Sequence, residues 1–212
     1  MEEIINQIRK KLYLLKDGAS SASMREKGLD YKMNWGVPTL SLKNLAKDYS
    51  PNPELAELLW KKNTRELRIM ATMIHDPYSF NQANRWVKEI NTPELAEQAV
   101  MNLFSKLNNA PELAFDWIRS EENYIRLSSV LLFVRLFMQG YKLPEEKEKE
   151  YFLLILPLLS DTSLAINTKV LNALRYQANQ DQSVAQRIRL ALDSETSLSI
   201  SLKENVKEDL TL

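Results

Sequence analysis

The sequence contains no cysteine and only one histidine, His75. A chain without cysteine forms no disulfide, no thiolate metal site and no iron–sulfur cluster. One histidine supplies neither a multi-histidine metal centre nor a catalytic pair of histidines. The carboxylates show no clustered ligand spacing, so we expect no metal and no cofactor.

Glycine is also scarce, with four residues in 212: Gly18, Gly28, Gly36 and Gly140. β-Rich folds and doubly wound α/β folds normally need more glycine turns, and no phosphate-binding glycine motif can be written from these four. The rest of the chain is rich in Leu, Ala, Glu, Lys and Arg, which favour helix, and its apolar residues recur with a helical period. The sequence therefore predicts an all-α fold.

The chain has no excess of charge and no long apolar run. Its 28 Lys and Arg equal its 28 Asp and Glu, which excludes a uniformly basic nucleic-acid coat but allows a local basic patch. The longest apolar run, 152–159, holds a proline and is too short to span a bilayer. No signal peptide is readable at the N-terminus. We expect a cytoplasmic protein with no membrane contact.

Helical periodicity divides most of the chain into amphipathic segments. The predicted helices are 2–16, 41–49, 53–62, 64–75, 79–90, 93–107, 111–120, 122–139, 144–159, 163–178 and 183–192. An irregular stretch is expected over 17–39. The pattern ends near residue 193, so we predict one domain over 1–193 and a polar, flexible tail over 194–212.

The four-residue sequence Pro-Glu-Leu-Ala occurs three times, at Pro53–Ala56, Pro93–Ala96 and Pro111–Ala114. After the first and third copies the chain continues with a Trp, a polar turn and a second helix that carries an Arg. The spacing of the first two copies is typical of HEAT-type helical pairs, which predicts a right-handed superhelix, an α-solenoid of HEAT-like repeats. Alternatively, Pro-Glu-Leu-Ala is a generic helix start.

Three segments carry a resemblance to a known family: MREKGLDYKMNWGVPTLSLKNLAK at 24–47, ELAELLWKKNTRELRIMATMIHDP at 54–77, and 117–133. In this order they resemble the AlkD-type DNA alkylation-repair family, HEAT-like-repeat proteins whose founding members are DNA glycosylases. The resemblance covers about residues 20 to 190. It implies duplex DNA as partner and excision of N3- or N7-alkylated purines, without metal or cofactor.

The resemblance also implies particular site residues. Glu97 falls at the catalytic aspartate position of the family, and Arg126 and Arg175 fall at positions that contact DNA. Pro93 and Asn172 stand where active members carry aromatic residues that flank the damaged base. A carboxylate next to C1′ stabilises the cationic transition state of base excision, and aromatic faces hold a cationic base. Here the carboxylate is kept as Glu97, whereas both aromatic residues are absent.

Other residues extend the predicted DNA-binding surface. Arg68 matches Arg126 in the repeat, and Lys169 lies near Arg175 on one predicted helix. The alternative for Arg126 is a solvated side chain paired with Glu122. Among the tryptophans, Trp60, Trp86 and Trp117 are expected in the core, whereas Trp35 lies in the irregular segment and can reach a ligand.

Three functions remain open from the sequence. The first is an alkylpurine DNA glycosylase with Glu97 as its carboxylate. The second is a non-catalytic relative that binds duplex DNA in a concave groove. The third is a helical-repeat scaffold that binds protein, as solenoids commonly do.

Overall fold

A computed structural model describes residues 1–211 and contains no β-strand within that range, only an isolated parallel bridge between Met33 and Thr64. The all-α prediction is confirmed. Its helices are α1 (Glu2–Leu14), α2 (Gly18–Glu26), α3 (Thr39–Lys47), α4 (Pro53–Trp60), α5 (Arg65–Ile74), α6 (Ala83–Lys88), α7 (Pro93–Asn102), α8 (Ala110–Trp117), α9 (Asn123–Met138), α10 (Glu145–Ile155), α11 (Leu164–Ala178), α12 (Gln182–Ser194) and α13 (Ile200–Leu210).

The chain divides into two compact units. Unit 1 comprises Met1–Trp86 and Met101–Leu107, and unit 2 comprises Val87–Val100 together with the chain from Asn108 onward. Within unit 1, α4 and α3 pack against α5; within unit 2, α8 and α11 pack against α9. The predicted pairing of a Pro-Glu-Leu-Ala helix with the next helix is thus present at α4–α5 and at α8–α9. One domain over 1–193 stays a prediction.

Helix starts follow the capping chemistry that the sequence indicates. The Asn52 side chain accepts a hydrogen bond from the Leu55 amide at 3.0 Å, and Thr92 Oγ1 accepts one from the Leu95 amide at 3.1 Å. At α12 the cap is Asp181, whose carboxylate accepts a hydrogen bond from the Ser183 amide at 2.7 Å.

Two segments differ from the prediction. The stretch expected to be irregular contains α2, whose small polar residues give weak periodicity but which Asp17 caps through the Ser20 amide at 3.0 Å. The predicted flexible tail contains α13, which packs on α11 and α12 and buries Val206 and Leu210. Its apolar residues Leu202, Val206 and Leu210 do recur at a helical spacing, but the polar residues between them hid that short pattern.

The second helix of each pair is the more buried. Every residue of α5 from Arg65 to Thr72 is buried, including two arginines and a glutamate, and α9 is buried over most of its length. Among residues 1–211, no helix is long and apolar enough to cross a membrane.

Candidate nucleic-acid interface

Glu97, the predicted catalytic carboxylate, lies on α7 in unit 2 and forms an ion pair. Its Oε1 atom is 2.8 Å from the Nζ atom of Lys169 on α11, and both side chains are partly exposed to solvent. An ammonium group therefore neutralises the carboxylate at its surface position. Two of the predicted site residues are therefore brought together here, and they form an ion pair with each other.

Arg126 lies at the start of α9 and is also paired. Its guanidinium reaches Asp161 at 3.1 Å and the Asn123 side chain at 3.0 Å. The carboxylate partner is thus Asp161, which precedes α11, and not Glu122 as the alternative interpretation held. This pair ties the N-terminal ends of α9 and α11 together.

The opposite ends of the same helices are joined as well. The Gln180 amide, just after α11, donates hydrogen bonds to the Tyr141 carbonyl at 2.9 Å and the Phe137 carbonyl at 3.4 Å. Because both N-terminal ends meet and both C-terminal ends meet, α9 and α11 run parallel. This is the arrangement in which successive second helices of a repeat array line one face.

Lys169 and Arg175 lie on α11 but on different sides of it. Six residues along a helix with 3.6 residues per turn correspond to a rotation of about 240°, so the two side chains diverge by about 120°. Arg175 is exposed, and the Asn172 side chain accepts its hydrogen bond at 3.4 Å. A basic strip along α11 that contains both residues is not formed.

An exposed aromatic residue follows Asn172 by one helical turn. Tyr176 is 39% exposed and lies on the same side of α11 as Asn172 and Lys169. The sequence analysis did not single it out, because a lone Tyr in an amphipathic helix carries no distinctive signal.

Arg68 belongs to the interior of unit 1. It is only 8% exposed, and its guanidinium lies 4.5 Å from the centroid of the Trp60 ring. Trp60 in turn stacks on Trp86, with ring centroids 4.0 Å apart. The predicted core position of Trp60, Trp86 and Trp117 is confirmed, since all three are buried. Phosphate contact by Arg68 would require its side chain to leave the Trp60 ring.

Trp35 is partly exposed, and its loop is held by a buried ion pair at the start of α5. Glu66 Oε1 accepts hydrogen bonds from the Trp35 amide at 3.2 Å and the Val37 amide at 3.3 Å. Arg65 contacts the same Glu66 oxygen and the Val37 carbonyl, each at 3.0 Å. The backbone on either side of Gly36 is therefore anchored to the core of unit 1.

Gly36 is required in this loop for two reasons. Its φ angle of 71° lies in the left-handed region that disfavours L side chains. A Cβ atom there would also meet the Asp17 carbonyl oxygen at 2.3 Å and the Ser21 amide nitrogen at 2.7 Å. The Gly-Val pair of the sequence motif is thus the point where the loop packs against the start of α2.

Comparison with known proteins identifies the family and the fold of this chain. The profile of the family described as DNA alkylation repair enzyme matches residues 8–197. The chain belongs to the DNA alkylation repair enzyme family. No curated protein matches it.

One solved structure has the same fold. It represents a new family of proteins related to the HEAT-like repeat DNA glycosylases, with affinity for branched DNA structures. The match has a TM-score of 0.73 and covers 97% of this chain and 93% of that chain, at 18% sequence identity. The HEAT-like-repeat fold predicted from the sequence is thereby confirmed.

Within this family fold, the aromatic positions of the AlkD-type pattern stay unfilled. Pro93 is exposed at the first turn of α7, and Asn172 is partly exposed on α11. Among the residues described, no group of three or more His, Asp or Glu side chains is placed to hold a metal ion.

Positive charge is concentrated in unit 1. Counted over the sequence, unit 1 holds 15 Lys and Arg against 10 Asp and Glu, a net charge of +5; unit 2 holds the remaining 13 against 18, a net charge of −5. The zero net charge of the chain is therefore the sum of a basic and an acidic part. Four of the six predicted site residues, Glu97, Arg126, Lys169 and Arg175, lie in the acidic unit.

Proposed function

We propose that this protein binds DNA, both duplex and branched, without excising bases, and that unit 1 provides the main contact. The observation that carries the proposal is the net charge of +5 on unit 1. DNA binding is driven largely by Lys and Arg that replace condensed counterions on the phosphates. Family membership, and the affinity of the structural relative for branched DNA, support the same ligand.

The environment of Glu97 supports binding without base excision. A carboxylate stabilises a developing sugar cation less strongly when a neighbouring cation offsets its charge. Lys169 lies 2.8 Å from Glu97 and cancels that charge. Pro93 and Asn172 offer no aromatic face for a cationic base, and the longer side chain of Glu shifts the carboxylate by roughly an ångström relative to Asp, which by itself can cost on the order of a hundredfold in rate.

The remaining predicted contacts differ in how available they are. Arg175 is exposed and Trp35 partly exposed, and within residues 1–211 Arg175 forms no ion pair. Arg126 and Lys169 would first have to give up Asp161 and Glu97, and Arg68 would have to leave the core. A DNA-contact role for these five residues, and a catalytic role for Glu97, stay predictions.

The proposal is tested by measuring base release and DNA binding on the same preparations. Duplex DNA with N3- or N7-methylpurines is incubated with the wild type and with Glu97→Gln, and we expect no base release above the protein-free rate from either. Fluorescence anisotropy then gives the Kd for a duplex and for a four-way junction at several salt concentrations. We expect affinity to fall steeply as salt rises.

Two charge-reversal pairs locate the binding surface. Lys10→Glu with Lys61→Glu removes positive charge from unit 1, and we expect it to weaken binding roughly tenfold at moderate salt. Lys142→Glu with Lys149→Glu makes the same change in unit 2 and should alter affinity far less. Base release that Glu97→Gln abolishes would instead identify a glycosylase. Absence of both release and binding would favour a protein-binding scaffold.

A further inference from the structure

Two adjoining clefts in unit 1 share the side chains of Trp35 and Arg9. One cleft, of about 480 Å³, lies between α1, the loop around Trp35 and the α4–α5 turn, and its cations are Arg9, Lys32, Lys61 and Lys62. The other, of about 410 Å³, lies along α1 and is lined by Arg9, Lys10, Tyr13, Leu14 and Trp35. Trp35 therefore stands between two openings on a single surface, named here the Trp35 clefts.

The cations of the Trp35 clefts are mostly without a carboxylate partner. Within residues 1–211, Arg9, Lys10, Lys32 and Lys61 form no ion pair, and Lys62 alone reaches a carboxylate, that of Glu2, at 3.6 Å. The Nε atom of Arg9 is buried and has no hydrogen-bond partner. Because no carboxylate competes for the four side chains without an ion pair, their remaining N–H groups can donate charge-assisted hydrogen bonds to an anionic ligand.

Some cations of unit 2 differ in this respect, although others, such as Lys149 and Arg175, also form no ion pair within residues 1–211. Arg119, Arg126, Lys169 and Arg187 are paired with Glu150, Asp161, Glu97 and Glu148, respectively. A phosphate that approaches one of these four must displace a carboxylate, whereas a phosphate that contacts Arg9, Lys10, Lys32 or Lys61 displaces none. The grouping of these four unpaired cations around two adjoining clefts therefore marks the Trp35 clefts as the place where unit 1 receives an anion.

An aromatic side chain on a rigid loop adds a second kind of contact. Glu66 and Arg65 hold the backbone of Trp35, so its ring is presented without a further loss of loop entropy. Tyr13 lines the neighbouring opening and is 55% exposed. Free cations around exposed aromatic rings are typical of surfaces that bind single-stranded nucleic acid, where bases stack and phosphates contact Lys and Arg.

We propose that the Trp35 clefts bind an unpaired DNA strand. A base stacks on Trp35, and the flanking phosphates contact Arg9, Lys32 and Lys61 on one side and Lys10 on the other. A paired base is already stacked in its duplex and offers no free face to the ring, so the site prefers single strands and the unpaired positions of branched DNA. This inference rests on the proposed DNA-binding function and assigns the part of the ligand that unit 1 takes.

Tryptophan fluorescence tests the proposal directly. Trp60, Trp86 and Trp117 are at most 4% exposed, so quenching on addition of an oligothymidylate reports on Trp35. We expect an eight-nucleotide oligothymidylate to quench the intact protein. Trp35→Ala should weaken its binding by roughly five- to hundredfold, the range expected for one lost base–aromatic stack. Trp35→Phe should keep the affinity within about threefold while removing the quenching.

Controls separate this inference from the proposed function. Urea unfolding of each variant shows whether the loop change has merely destabilised unit 1, and Trp35→Ala should weaken oligothymidylate binding by a larger factor than duplex binding. The salt slope of oligothymidylate binding should decrease by about 0.7 for each of Arg9→Ala and Lys61→Ala.

Several outcomes would overturn the proposal. Duplex binding without quenching by oligothymidylate would support the DNA-binding function and contradict the single-strand site. An oligothymidylate affinity of Trp35→Ala equal to that of the wild type would contradict the single-strand site as well. Equal quenching by a polyglutamate of the same charge would assign the clefts to an acidic protein segment. Failure of both duplex and single strand to bind would overturn the DNA-binding function as well.

Discussion

A buried ion pair holds the backbone of Trp35, the most exposed tryptophan among the described residues, in place. Glu66 is completely buried and Arg65 nearly so, yet neither residue belongs to a predicted site. Their role is to anchor the Trp35–Val37 backbone, which lies about thirty residues earlier in the chain. Charged residues are rarely fully buried unless they are paired and hydrogen-bonded, and here both conditions are met.

Glu66→Gln should therefore destabilise the protein far more than a glutamine at an exposed site. Removing one partner of a buried pair leaves the other charge uncompensated, which costs about 3–5 kcal/mol of unfolding free energy. Urea unfolding measures the change. Glu54→Gln, an exposed change in α4 of the same unit, is the matched control and should cost less than about 1 kcal/mol. Equal stabilities for the two variants would contradict the anchoring role of Glu66.

At the scale of elements, the conformation of the loop between α2 and α3 depends on hydrogen bonds to the starts of α2 and α5. The Asp17 amide donates to the Trp35 carbonyl at 2.8 Å, and the Arg65 amide donates to the Met33 carbonyl at 3.1 Å. The loop thus joins the start of α2 to the start of α5. Periodicity could not reveal this arrangement, because the contacts are made by backbone atoms and one glycine.

Gly36→Ala should disrupt this loop. The left-handed backbone costs about 1–2 kcal/mol for an L residue, and the clash with backbone atoms of Asp17 and Ser21 brings the total to about 3 kcal/mol or more. Gly28 has a similar positive φ of 86° but open space around its Cβ position, so Gly28→Ala should lose only the backbone part, about 1 kcal/mol. Chemical denaturation of both variants measures the loss of unfolding free energy that is due to the clash. Similar losses in the two variants would argue against the clash.

α13 is held to α12 partly by charge. Lys207 lies 2.5 Å from Asp193, and its hydrogen bond lowers the pKa of the Asp193 carboxyl below the ordinary value near 3.8. The same bond, with Glu204 as a second partner, raises the pKa of the Lys207 ammonium above the ordinary value near 10.5. Asp193 therefore supports the contact above its unfolded pKa and loses that effect as the pH falls through its lower folded pKa. Lys207 loses its effect as the pH rises through its raised pKa.

We expect Asp193→Asn to loosen α13 at neutral pH. Amide hydrogen exchange within α13 should accelerate by roughly two- to fivefold, as for loss of an exposed ion pair. Asp209→Asn changes an exposed carboxylate on α13 that forms no ion pair in the described chain and should leave exchange unaltered. As the pH falls through the lowered pKa of the Asp193 carboxyl, exchange in the wild type should approach that in the variant. A wild-type exchange pattern in Asp193→Asn would show that apolar contacts alone hold α13.

At the scale of the whole molecule, fold and site have diverged to different extents. The chain shares its fold with a structural relative at 18% identity, whereas Pro93 and Asn172 stand at the predicted aromatic positions and Glu97, the predicted carboxylate, is paired with Lys169. Helical pairs tolerate such change, because their packing needs only apolar residues at the right period. A shared fold is therefore better evidence of family membership than of a shared chemical activity.

The all-α class, the helix pairs, the N-caps at Asn52 and Thr92 and the buried tryptophans all follow from the sequence. Each of these depends on residues a few positions apart, through capping bonds and the helical period. Which charges remain available depends on folding: Lys169 pairs with a carboxylate on another helix and Arg126 with one just before α11, whereas within residues 1–211 Arg9 and Lys61 form no ion pair. Coulomb attraction depends on distance in space, and distant segments meet only when the chain folds. For the same reason Trp35 acquired its basic surroundings only when α1, its own loop and the α4–α5 turn came together.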